Sequence, residues 1–136
     1  MRVVLTTALT GLVSALAAGI PTATAEPSTV SPPEVSADSS RTVFTDNRWI
    51  VDQHSTPVES WSRGGQGLRI NFTAGSPDCF GVHLTTQETP DTVTVELHGG
   101  TLPEAVGRMC IALAVHATMD VPLQGPLDER RVLAVQ

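Results

Sequence analysis

The sequence has no lysine and no tyrosine, and its aromatic residues are only three Phe and two Trp. Every basic side chain is an arginine, eight against fourteen Asp and Glu, for a formal net charge of −6. That acidic balance argues against nonspecific nucleic-acid binding and against an anionic membrane surface as partner. The catalytic signatures are missing too: there is no G-x-S-x-G elbow, no H-E-x-x-H and no phosphate loop. Gly64, Gly65 and Gly67 have the glycines of a phosphate cradle but lack a strand–helix context. Asp52, His54 and Ser55 are neighbours in sequence, which does not make a triad in space. With no Cys-x-x-Cys spacing, the two cysteines do not read as a redox or zinc pair. The expectation is a protein that is not an enzyme and carries no cofactor.

Arg2 is followed by an apolar, small-residue run from Val3 to Ile20, then by Ala23-Thr24-Ala25 before Glu26. This is the layout of a secretory signal peptide cleaved near Ala25, with no membrane span afterwards. An uncleaved anchor would call for a basic stop-transfer flank, which the run lacks. Without Arg2, seven arginines face fourteen acids, a charge of −7. Arginine in place of lysine and abundant alanine suggest, by association, a GC-rich bacterial genome. Residues 26–40, rich in Pro and Ser and without aromatics, are expected to be a disordered tether. Residues 41–136 then form a single domain.

Within that domain the signal is period two. Across 109–123 the odd positions Met109, Ile111, Leu113, Val115, Ala117, Met119, Val121 and Leu123 are all apolar. Such alternation predicts a half-buried strand, or two strands joined by a bend. Leu68, Ile70 and Phe72 repeat the pattern, and 131–135 reads as a last strand. Val43, Phe44, Trp49 and Val51 mark one or two shorter strands, and 63–67 and 99–108 read as loops by their Gly and Pro content. Short strands between turns predict an all-β domain: an antiparallel β-sandwich, immunoglobulin-like in general architecture.

Thr89-Pro90-Asp91-Thr92 predicts a two-residue hairpin loop. The register then sets Leu84 against Leu97, Thr85 against Glu96, and His83 against His98. Two imidazoles about 5 Å apart at Cβ could hold a metal with Glu96 as third ligand. The alternative is a solvated outer sheet face. Cys79 and Cys110, an even count in an exported chain, predict one disulfide. Closing a loop of about 30 residues would be worth about 3–4 kcal/mol in the chain-entropy model. Trp49 and Trp61 are core candidates, and a carbohydrate-stacking surface would require both to be exposed.

The segment 125–133, together with Cys79, its hairpin and Cys110, resembles a group of small exported actinobacterial proteins and lipoproteins of uncharacterised function. Their domains close with a Pro-Leu-Gly-Asp-Arg-like motif, which maps here onto Pro126, Leu127, Asp128, Glu129 and Arg130. The resemblance implies a secreted β-domain with one disulfide and brings no activity. Asp128 stands where the motif has glycine and is expected to take a left-handed turn. Arg130 is then free to pair with Asp128 or with a carboxylate on a neighbouring strand. The expected function is a secreted binding module for an extracellular or cell-envelope protein or polymer. A proteinase inhibitor presenting the 99–108 loop, through Thr101, Leu102, Pro103, Glu104 and Arg108, is the alternative. A metal-binding protein using His83 and His98 is another.

Overall fold

The computed structural model describes residues 18–65 and 67–136. Most of the expected signal peptide lies outside the described residues, and 18–25 carry no regular structure. Over the described residues the chain is all-β, in two sheets. Its strands are β1 Thr29–Val30, β2 Thr42–Val43, β3 Val51–Ser55, β4 Ser60–Ser62, β5 Arg69–Ala74, β6 Phe80–Glu88, β7 Thr92–Thr101, β8 Val115–Asp120 and β9 Arg131–Val135. One 3₁₀ turn, Pro103–Ala105, follows β7.

The first sheet is a curled half-barrel. Its spine is β7. The β6 strand pairs along one side; β9 and β3 share the other, in the order β1-β9-β7-β3. The second sheet runs β2-β8-β5-β4. Both sheets are mixed, because β7–β9 and β2–β8 are parallel. This corrects the purely antiparallel expectation. Period-two patterning reports which side of a strand is buried, and that is the same for either strand direction.

The two sheets share one core. Leu68, Ile70, Phe72, Ala117, Met119 and Val121 meet Val82, Val93, Val95, Leu97, Val132 and Ala134. Phe44 packs edge-on against Phe72, ring centroids 5.8 Å apart. The β6–β7 hairpin has the expected register, with Leu84 opposite Leu97 and His83 opposite His98. Its turn is closed by Thr89, whose N–H donates to the Thr92 carbonyl at 2.9 Å and whose hydroxyl accepts from the Thr92 N–H at 2.9 Å.

Three expectations change. Residues 26–40 do not all behave as a tether: Ser28 and Gln136 exchange backbone hydrogen bonds, and Val35 and Pro33 pair with Trp61. At 32–35 the physical reason is Trp61. Its ring is buried, so its indole N–H needs an acceptor, and the Pro32 carbonyl supplies one at 3.1 Å. Prolines also have less backbone freedom to lose on ordering. Next, 99–101 belongs to β7 rather than to a loop.

Finally, the long alternating stretch is a strand only over Val115–Asp120. Its partner β5 ends where Ala74 pairs with Val115. The chain then turns at Ser76, whose carbonyl accepts from the N–H groups of Cys79 and Phe80. The residues of 109–114 therefore have the sequence of a strand without a neighbour to pair with.

Where β3 crosses β7, the register slips between Val51 and His54, and Asp52 takes a left-handed φ of 53°. The backbones are close there: a Cβ on Gly100 would lie 2.6 Å from the Val51 carbonyl oxygen. Gly100→Ala should therefore displace β3 and cost about 1–3 kcal/mol. Chemical denaturation with an unchanged m-value would measure this, and wild-type stability would refute it.

Candidate functional site

The structure places the sequence-predicted residues at three separate locations. At the first, His83 and His98 are half-buried on the outer face of the hairpin, with Glu96 nearby. They do not converge on one point. His83 donates from Nδ1 to the Asp46 carboxylate at 2.9 Å, and the same oxygen accepts from the Leu84 N–H at 2.7 Å. His98 instead faces its own strand's Glu96, Nε2 to Oε1 at 3.4 Å. Among the described residues, no group of three or more His, Cys, Asp or Glu side chains could hold a metal ion. The His83–Asp46 pair pins the 44–50 loop to the edge of β6, beside the parallel bridge between Asp46 and Val82.

The second location is the Pro126–Arg130 motif. Asp128 has the expected left-handed φ, 46°. Arg130 pairs with the neighbouring strand, its Nη1 lying 3.0 Å from Glu88 Oε1. It also donates to the carbonyls of Gly125, Pro126 and Thr89. The Glu88 carboxylate accepts from the Gln124 N–H at 2.8 Å as well. One guanidinium thus fastens the last loop to the hairpin tip, and all its partners belong to this chain.

The Glu88 carboxyl is held below its ordinary value, first by the Gln124 N–H and then by Arg130, against partial desolvation. A depressed carboxyl releases its proton more readily folded than unfolded. Its stabilisation is therefore present above the ordinary Glu value and is lost as pH falls through the lower, folded value. Glu88→Gln should flatten the acid limb of a plot of melting temperature against pH. An acid limb identical to wild type would contradict this assignment.

A pocket of about 200 Å³ opens between the end of β5 and the β3–β7–β6 crossing, lined in part by His54, Thr56, Thr73, Phe80 and Gly99. It is smaller than the several hundred Å³ usual for a drug-sized ligand. Its glycines are accounted for by packing, since a Cβ on Gly81 would lie 2.8 Å from Ile50. His54, Asp52 and Ser55 all lie on β3, with His54 opposite Gly99 and Ser55 opposite His98. Asn71, the head of an Asn-Phe-Thr glycosylation sequon, is buried and donates to the Ser60 hydroxyl at 3.0 Å. A glycan has no room there in the folded state.

The third location was only half legible. Of the loop residues expected to face a partner, Thr101 ends β7, Leu102 is half-buried and donates its N–H to the Cys79 carbonyl, and Pro103 and Glu104 open the 3₁₀ turn. The exposed apolar surface begins later. Arg108 is exposed, Val106 is 60 % exposed, Met109 fully so, Ile111 75 % and Leu113 53 %. The Cys79–Cys110 disulfide forms, with a Cα–Cα distance of 6.2 Å, and fixes the middle of this segment to the start of β6.

Within 109–114 the one internal backbone hydrogen bond among the described residues runs from Leu113 N–H to Ile111 C=O. No acid occurs between Glu104 and Asp120, in a chain with fourteen. The alternation within 109–123 gave no signal for this site, because the pairing limit at Val115 is set by the end of β5. Trp49 is also exposed, stacked by Arg48 at 5.4 Å, whereas Trp61 is buried, so a two-tryptophan carbohydrate platform is not formed. No helix among the described residues is long and apolar enough to cross a membrane. Compared with family models, with curated proteins and with solved structures, the chain matches none.

Proposed function

We propose that the protein is a secreted, non-enzymatic binding module that engages an extracellular or cell-envelope protein through residues 106–114. The observation that carries this reading is the full exposure of Met109, with Ile111 and Leu113 beside it, on a segment fixed by a disulfide. Large apolar side chains left in water gain free energy when a partner covers them, about 25 cal/mol per Å². Fixing Cys110 in advance lowers the ordering entropy that binding must overcome. A disulfide suits an oxidising compartment, in keeping with an exported chain. The two sheets are read as a sandwich of immunoglobulin-like general architecture, and the chain as a relative of the small actinobacterial exported proteins.

The experiment is a cross-linking capture from secreted and cell-wall fractions, run with the wild-type chain beside a Met109→Glu/Ile111→Glu/Leu113→Glu variant. The expected result is a partner retained by the first and lost by the second. Equal capture by both would refute the assignment of this segment.

A further inference from the structure

We infer that residues 108–113 are a substrate-like segment that occupies the cleft of an extracellular serine endopeptidase with an apolar primary pocket, with Met109 in that pocket. This rests on the reading of 106–114 as the partner-binding segment and names the class of partner.

Three features of the chain point to a protease cleft rather than to a flat protein surface. The first is backbone availability. Among the described residues, the N–H groups of Met109, Cys110, Ile111, Ala112 and Ala114 have no backbone partner. An endopeptidase grips a substrate by its main chain, in strand-like pairing, and by side chains entering successive pockets. Here apolar side chains recur every second residue at 109, 111 and 113, the spacing that such pairing reads. The second is composition: Arg108 is the one charged residue between Glu104 and Asp120, so the segment itself carries no carboxylate into an apolar cleft.

The third feature is topological. The bond between Met109 and Cys110 is the last peptide bond inside the ring closed by the Cys79–Cys110 disulfide. Hydrolysis there would add the hydroxyl of one water to the Met109 carbonyl carbon and its proton to the Cys110 nitrogen. The two fragments would stay joined through the disulfide. The downstream fragment would also be held by two strands that each lie between neighbours. The β8 strand runs between β2 and β5, and β9 between β1 and β7. New chain ends that cannot diffuse apart remain positioned for resynthesis and keep the cleft filled. An ordinary exposed loop, cut once, springs open and leaves the enzyme. This segment is built so that cutting does not free the enzyme.

The test is to titrate subtilisin-type, chymotrypsin-type and trypsin-type serine proteases with the intact, oxidised chain, following residual activity and the mass of the chain together. The inference expects near-stoichiometric loss of activity in an enzyme with an apolar pocket, with the chain intact or cut only between 109 and 110. Met109→Gly should weaken inhibition by about 30-fold or more. Met109→Lys should transfer inhibition to the trypsin-type enzyme. Met109 is fully exposed, so both variants should fold, which circular dichroism would check.

Rapid cutting of the segment without inhibition would overturn the inference, as would no effect on any of the three enzymes. The capture experiment above separates the two levels. A non-protease partner lost in the triple glutamate variant would overturn the protease assignment and leave the binding-module reading standing. Capture unaffected by that variant would remove both.

Discussion

Replacing Cys79 and Cys110 together by alanine should destabilise the fold by about 3 kcal/mol, within the usual range for a native disulfide in a small domain. The melting temperature should fall by about 10–20 °C in a domain of this length. The bond closes a loop with a sequence separation of 31, which sets most of the entropy it removes from the unfolded chain. It also tethers residues that little else holds. Cys79 is buried at the foot of β6, whereas 109–114 is neither in a strand nor packed on the core. Loss of the bond should therefore act twice: globally on stability, and locally on segment 106–114. Hydrogen exchange would separate the effects. The amides of Val106 and Arg108, bonded to the Pro103 and Ala105 carbonyls, should lose protection in the variant beyond the global effect, while those of β7, paired along both sides, should stay the slowest to exchange. An unchanged melting temperature in the double variant would contradict the staple.

Phe72→Ala should cost about 3–5 kcal/mol, the largest effect expected from a single apolar substitution here. Phe72 is fully buried on β5, beside Ala117 across the strand and edge-on to Phe44. Alanine at 117 leaves the space that the ring fills, so truncation opens a cavity that the neighbouring strands cannot close by themselves. The Phe44 ring would also lose its aromatic neighbour. Phe72→Leu should recover a large part of the loss, which denaturant titration of the three proteins would measure. Near-equal stability of the alanine and leucine variants would indicate a site that collapses easily.

Much of this fold was legible in the sequence wherever side-chain alternation and local turn chemistry decide the outcome. The Thr89–Thr92 turn fixed a hairpin register that pairs Glu88 with Val93, and Phe80, at the far end of β6, with Thr101. Leu68, Ile70 and Phe72 are all fully buried, as their spacing required. Asp128 took its left-handed turn for a reason internal to one residue. Strand direction was not legible, because parallel β7–β9 and β2–β8 pairing is chosen by chain path.

Nor was the end of a strand. Nothing within 109–123 announces that pairing stops at Val115, since that limit lies in the Ser76–Pro77 turn on another segment. For the same reason the exposed apolar run was not legible as separate from the 99–108 loop. It begins at Val106 and continues through Met109, Ile111 and Leu113. The ordering of residues 28–35 depended on distant partners, β9 for 28–30 and Trp61 for 32–35, and composition does not encode them.

The pairing of Ser28 with Gln136 has a further consequence. The two positions exchange N–H···O=C bonds at 2.8 and 3.1 Å, so the folded unit is nearly a closed loop of chain. A circular permutant that joins 136 to 28 through a short glycine linker, with new ends at the Pro90–Asp91 turn, would keep every strand pairing described. In that protein β1 and β9 become one continuous hairpin rather than two strands separated by the rest of the fold. Segment 106–114 would then lie at the opposite end of β7 from both new ends, leaving them free for attachment to a surface.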